Sequence, residues 1–225
     1  MYKFPYIDKP EDFRIKSAIS DLQIMNALDE NEELTEKGKE MVELPLDPIY
    51  ASALLDSIDC QYIIREDMIS IISILSIDSL VYVPKNQSLT KTAAQVNKYK
   101  IPNSDHLTKL SLFQSYVAAK NKSEFCNQLN VNRRNINKAV AIRSQLKGIL
   151  EEIISRRKGE VHKLTGEYVA KVNLRNMDVL ELMKAIPEKH DLDVPLLTAA
   201  LGKAFKLNIA SLSEDGGYTL AVGTI

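Results

Sequence analysis

The chain has 225 residues, 45% hydrophobic and 26% charged, with no tryptophan. That is an ordinary composition for one or two globular domains with cores of their own. A formal net charge of −1 excludes a chain that is basic or acidic throughout, and no apolar run reaches the roughly 18–20 residues a membrane helix needs. The first residues, Met1-Tyr2-Lys3-Phe4-Pro5-Tyr6, lack the apolar stretch of a secretory signal. Cys60 and Cys126 read as reduced thiols of an intracellular protein in preference to a disulfide.

Taken in chain order, helix signals dominate. Asp8-Lys9-Pro10 opens a first helix with proline in its first turn, and Phe13, Ile15, Ala18, Ile19, Leu22 and Met25 recur at helical spacing. After the polar turn Asp29-Glu30-Asn31, Thr35 is placed to cap a short helix over 37–44. Asp47-Pro48 starts the next, with Ala51, Leu54, Leu55 and Ile58 as its buried stripe. Met68, Ile71, Ile72, Ile74 and Leu75 make a helix apolar almost all round, hence central, in a segment closed by Pro84. Residues 85–103 read as a polar connector with room for a helix.

Further on, Ser104 caps a helix over 105–120 that turns Leu107, Leu110, Phe113 and Val117 inward, and Ser123 caps a short one carrying Phe125 and Cys126. The longest helix runs from about 133 to 157, with Ile136, Val140, Ile142, Leu146 and Leu150 facing the core. Residues 163–172 stay open between strand and loop. A helix follows over 177–186 and stops at Pro187, another covers 196–207, and Gly216-Gly217 turns into one alternating strand.

The balanced net charge hides an asymmetry. Residues 1–60 hold 6 Lys/Arg against 14 Asp/Glu, while residues 130–158 hold 8 against 2. One reading is two solvated faces of opposite sign; the other is a basic surface near a polyanion and an acidic lobe facing a protein.

Several chemistries are excluded. Gly38-Lys39 is followed by Glu40 and lacks the preceding glycine of a phosphate-binding loop, and no Asp-Glu-Ala-His run is present. His106, His162, His190 and the two cysteines are too scattered for a metal site. No catalytic residue and no metal ligand is expected, and Cys126 beside Phe125 reads as a buried structural thiol.

On the long helix, Arg134 and Lys138 share one face, and Arg143 and Lys147 repeat the spacing on another. Arginine suits phosphate because its planar fork donates two bonds to one group. Arg143 and Gln145 are equally suited to tying a bundle together, and for Arg143 the two readings stand level. No aromatic ladder accompanies these cations, so binding would be directed at a backbone and tolerant of sequence.

Three motifs in order carry a family resemblance: Leu34-Thr35-Glu36-Lys37-Gly38-Lys39-Glu40-Met41 leading to Glu43-Leu44-Pro45-Leu46-Asp47-Pro48; Asp105-His106-Leu107-Thr108 with Leu110; and Phe125-Cys126, Asn132-Arg133-Arg134 and Arg143-Ser144-Gln145-Leu146. Their order and spacing resemble the C-terminal auxiliary region of DEAH-box RNA helicases over residues 1–157, returning near 198–223. Ser104 stands where that family commonly has glycine, and Arg133 where it often has an aromatic residue. The resemblance implies a mainly α fold: a degenerate winged helix over 1–46, a ratchet-like helical bundle over 47–158, a linker or insertion over 159–195, and a truncated start of an OB fold over 196–225.

By the same resemblance, the bundle faces single-stranded RNA. His106, Thr108, Arg133, Arg134, Lys138 and Arg143 are the candidate RNA contacts. The acidic group Asp29, Glu30, Glu32, Glu33 and Glu36 is the candidate docking surface for a G-patch activator. ATP and magnesium would be used by RecA-like motor domains of the same polypeptide and not by this chain. No membrane partner is implied, and the setting would be intracellular, nuclear or nucleolar, in ribosome biogenesis or splicing. The rival from another class is a helical protein-interaction scaffold that does not grip RNA.

Overall fold

The computed structural model describes residues 7–85, 94–159, 178–213 and 216–220. The helices are α1 (Asp12–Ile24), α2 (Glu36–Glu43), α3 (Pro48–Asp56), α4 (Tyr62–Leu75), α5 (Asp105–Ala118), α6 (Lys122–Leu129), α7 (Arg133–Arg157), α8 (Val179–Lys184) and α9 (Val194–Ala204). One antiparallel hairpin follows, β1 (Ala210–Leu212) with β2 (Tyr218–Leu220). The chain divides into two compact units, residues 1–56 with 200–225, and residues 57–199.

In the first unit α1 begins at Asp12, with Glu11 and not Pro10 at its boundary. It buries Ile15 and Ile19 but leaves Phe13 64% exposed, so the apolar stripe is narrower than its periodicity suggested. A bridge between Leu28 and Leu34 closes the turn after it. Within that turn the Asp29 carboxylate accepts from the N–H groups of Asn31 and Glu33 at 2.8 and 2.9 Å, an Asx turn that frees the backbone from helix.

Thr35 caps α2 as expected, its hydroxyl oxygen accepting from the Gly38 N–H at 2.9 Å. The same hydroxyl donates to the Asn26 carbonyl at 2.6 Å. Gly38 lies against the chain at Ala27, where an added Cβ would sit 2.1 Å from the carbonyl oxygen. The glycine of the Gly38-Lys39 pair is therefore a packing residue. Met41 and Leu44 pack inward, α3 buries Ala51, Leu54 and Leu55, and Lys37 reaches Asp56 at 2.7 Å to tie α2 to α3. Tyr50 meets Phe205 edge to face at 6.0 Å. The hairpin pairs Ala210 with Leu220 and Leu212 with Tyr218, all exposed.

The second unit is a helical bundle centred on α4, which packs along α7 and α5. Met68, Ile69, Ile71 and Ile72 of α4 are buried, as are Leu107, Leu110 and Phe113 of α5 and Ile136, Val140, Leu146 and Leu150 of α7. α4 ends at Leu75, where the Ser76 hydroxyl turns back to the Ile72 carbonyl at 2.8 Å, nine residues before the Pro84 expected to stop it. Asn121, not Ser123, caps α6 through the Glu124 N–H. Ser104 caps α5, α7 keeps its expected length, and Asp178 caps α8. A 3-10 turn, Asn97–Tyr99, stands in the connector before α5. The segment 163–172 lies outside the described residues.

The interior of this bundle is not wholly apolar. Glu66 and Asp67, adjacent on α4, are 2% and 3% exposed. The Arg143 guanidinium donates to Glu66 and, through Nε, to the Ser70 hydroxyl at 2.8 Å. Lys147 adds a second cation 3.0 Å from Glu66. Asp67 accepts from Gln114 Nε2 at 3.0 Å and lies 3.0 Å from His190 Nε2. Buried carboxylates are expensive unless paired and fully hydrogen-bonded, and these two are held by partners from α5, α7 and the segment after α8.

Candidate nucleic-acid interface

α7 starts where two backbone segments are stitched together. Val81 bridges Val131, the Tyr82 N–H donates to the Asn130 carbonyl at 3.0 Å, and the Asn132 N–H donates to the Leu80 carbonyl at 2.8 Å. Asn130 takes the left-handed conformation (φ 52°) that ends α6. Asn132 then caps α7 through the Asn135 N–H, and Asn135 donates to the Ser79 carbonyl at 2.9 Å. Asparagine tolerates both positions because its short amide bonds the local backbone. Three asparagines thus fix the first turn of a 25-residue helix against the strand-like stretch 80–82.

An open cleft of about 590 Å³ results, walled by Ser123, Cys126 and Asn127 of α6, by Val131 and Asn132, by Arg133 and Arg134 of α7, and by Tyr82. Arg133 is exposed and donates to the Ser123 hydroxyl at 2.8 Å. Arg134 is exposed and has no ion pair or hydrogen bond among the described residues. The same holds for Lys138, one turn further along the same face. No acidic residue stands in the first turn of α7. Burial pushes the Cys126 thiol upward, which keeps it protonated.

The remaining expected contacts are arranged differently. Arg143 is 1% exposed and paired with Glu66 inside the bundle, so it presents no guanidinium at the surface; of its two readings, bundle tie prevails over RNA contact. Thr108 is half-buried, and its hydroxyl donates to the Ser104 carbonyl at 2.8 Å and accepts from the Ile101 N–H at 2.9 Å. It secures the turn into α5. His106 is half-buried. Desolvation, with Lys109 nearby, holds its pKa below the ordinary 6.5 despite Asp105, so it is largely neutral at pH 7 and adds no charge for a phosphate.

Lys122 is committed to the fold: it donates to the Val117 and Ala119 carbonyls at 2.6 Å, closing the end of α5, and desolvation lowers its pKa. The Tyr116 hydroxyl donates to the Asn137 side chain at 2.6 Å, and burial pushes its pKa up to about 12.

In the first unit the acidic group is a surface feature. Glu30, Glu32, Glu33 and Glu36 are exposed, as is Asp29. Asp29, Glu30 and Glu36 border an open hollow with Gln23, Asn26 and Lys37, and Glu36 pairs with Lys39 at 2.6 Å. An apolar groove of about 300 Å³ lies between Leu22, Leu28, Leu34, Met41 and Val42.

Sequence reasoning missed Tyr82, and it missed that Glu66 and Asp67 are interior partners for Arg143 and His190. For the second, the signal was two adjacent carboxylates inside a helix whose other residues are mostly apolar. Among the described residues no group of three metal-ligating side chains comes together, and no helix is long and apolar enough to cross a membrane.

Comparison with known proteins bears on the first unit and on the chain as a whole. Residues 18–46 match the helicase-associated domain (HA2), winged-helix family. Across 226 aligned positions, 99% of this chain and 27% of the relative, the chain is 26% identical to the ATP-dependent RNA helicase DHX33 of Drosophila melanogaster. It is 27% identical to DHX33 of Homo sapiens over 149 residues, 65% of this chain and 21% of that protein. The chain thus spans about a quarter of the length of the curated relatives it matches.

Proposed function

We propose, on the premise that this chain corresponds to a C-terminal region of a DEAH-box RNA helicase, that it guides single-stranded RNA for an ATP-dependent motor carried elsewhere in the same polypeptide. The observation that carries this reading is the exposed pair Arg134 and Lys138, continuing from the cleft at the start of α7 with no internal partner among the described residues. Two unneutralised cations about one turn apart on a rigid helix suit successive phosphates of an extended strand. In this reading the second unit serves as the ratchet-type bundle and the hairpin 210–220 as the start of an OB fold. ATP and magnesium belong to RecA-like motor domains. The acidic loop 29–36 and the apolar groove beside it receive a basic, amphipathic partner segment of the G-patch kind, in the nucleus or nucleolus.

The test is binding of a fluorescent single-stranded RNA measured against salt. Affinity falls as salt rises, with a slope of roughly 0.7 per phosphate neutralised on a single strand. The double variant Arg134→Ala, Lys138→Ala weakens binding and flattens that slope in proportion, with its melting transition unchanged. Binding that ignores salt, or no binding by folded protein, favours the rival reading of a helical protein-interaction scaffold. The burial of Arg143 gives that rival its support, since one expected RNA contact acts inside the fold. The isolated chain hydrolyses no ATP above background in either reading.

A further inference from the structure

The cleft at the start of α7 holds an aromatic ring that neither phosphate binding nor folding accounts for. Tyr82 is 48% exposed and lines the same 590 Å³ cleft as Arg133 and Arg134. Its neighbours Leu80 and Val81 pack into the bundle core, and its own N–H is fixed on the Asn130 carbonyl. The backbone beneath the ring is therefore anchored on both strands of the bridge. The ring itself makes no aromatic, cation or hydrogen-bonding contact among the described residues. Among the described residues the other aromatic side chains of this unit are used differently: Phe113 and Tyr116 are buried, Tyr99 and Phe125 pack against the core and each other, and the exposed Tyr62 ring is already covered by Arg65 and Lys147.

We infer that Tyr82 is a stacking platform for one nucleobase, whose adjoining phosphates are held by Arg133 and Arg134. This rests on the RNA reading and adds to it a base-contacting residue. A π-face beside a fixed cationic edge matches a nucleotide unit, which is itself a flat ring joined to a phosphate. The exposed Asn127 furnishes an amide along the same wall, suited to a ribose or a base edge without selecting one base. The site reads a base as a flat surface and accepts any of the four. Stacking of this kind distinguishes a strand bearing bases from a bare sugar-phosphate chain.

The experiment compares a uridine oligomer with an abasic ribose-phosphate strand of equal length, both labelled, by fluorescence anisotropy. The full chain binds the uridine oligomer about 5- to 140-fold tighter, the range that stacking one base on an aromatic ring supplies. Tyr82→Phe keeps that preference. Tyr82→Ala abolishes it while leaving affinity for the abasic strand unchanged, and Arg134→Ala weakens both strands by the same factor. The proposal is overturned if wild type shows no preference, if Tyr82→Ala keeps it, or if Tyr82→Ala loses both strands equally, as a structural role would produce. Failure of wild type to bind either strand overturns the RNA reading itself, and the stacking site with it. Abasic binding that survives without a base preference removes only the stacking site.

Discussion

The first unit and the bundle place the same residue types in opposite settings. In the first unit the acidic side chains of 29–36 stand on the surface, and the packing around them leans on the backbone, with Gly38 close against the Ala27 carbonyl and the Thr35 hydroxyl on the Asn26 carbonyl, beside one half-buried charge pair, Lys37 with Asp56. In the bundle Glu66 and Asp67 lie inside, and order comes from side-chain charge pairs that span helices. Charge counted along a sequence therefore says little about where charge resides. An acidic segment can be a partner-facing surface, or it can be the counter-ion store of a core.

The largest effect expected from breaking this contrast is at Arg143. Arg143→Met leaves Glu66 buried with only Lys147 beside it and costs about 3–5 kcal/mol in urea unfolding. Adding Glu66→Leu recovers most of that loss, because two apolar residues replace a pair and not a lone charge. A cost below about 1 kcal/mol for the single change would mean that the interior pair is not what orders the bundle.

Next in size is Gly38→Ala. Alanine normally favours a helix over glycine by about 1 kcal/mol, yet here its methyl would meet the Ala27 carbonyl oxygen at 2.1 Å. The expected outcome is a loss of about 2 kcal/mol or more from overpacking, read as a lower melting temperature. A stabilised variant would refute the close approach.

The smallest effect belongs to His190. Desolvation pulls its pKa down, but the Glu188 carbonyl and Asp67 outweigh it and leave the value above the ordinary 6.5. A raised folded-state pKa contributes stability in full below 6.5 and loses it as pH rises through the folded value. Asp67, raised by burial above 3.8, acts in the same direction at lower pH. Wild type should therefore lose stability as pH rises above about 6.5, by no more than about 1 kcal/mol given solvent screening. His190→Ala should flatten this dependence, and identical pH profiles would remove the pair from the account.

Helix positions were largely legible because capping and periodicity are local. Thr35, Ser104 and the full length of α7 follow from residues within one or two turns. Where two local signals competed, the structure chose between them: Asn121 displaces Ser123 as a cap, and the chain leaves helix at Ser76 well before Pro84. The sides of α7 were legible in part. Arg134 and Lys138 are about 40° apart around a helix, whereas Arg143, nine residues on, is about 180° from Arg134. If one faces outward, the other faces inward.

The sequence by itself determined a mainly helical chain, its capping residues, the likeness to a helicase-associated region and the candidate cations on α7. Only the tertiary structure decided that Arg143 and Thr108 hold the fold together, that Gly38 makes room for a carbonyl, and that Tyr82 joins Arg133 and Arg134 at one cleft. The physical reason is range. Periodicity and caps act over a few residues, whereas an ion pair such as Glu66 with Arg143, or a cleft built from residues 82 and 134, depends on which distant segments pack together.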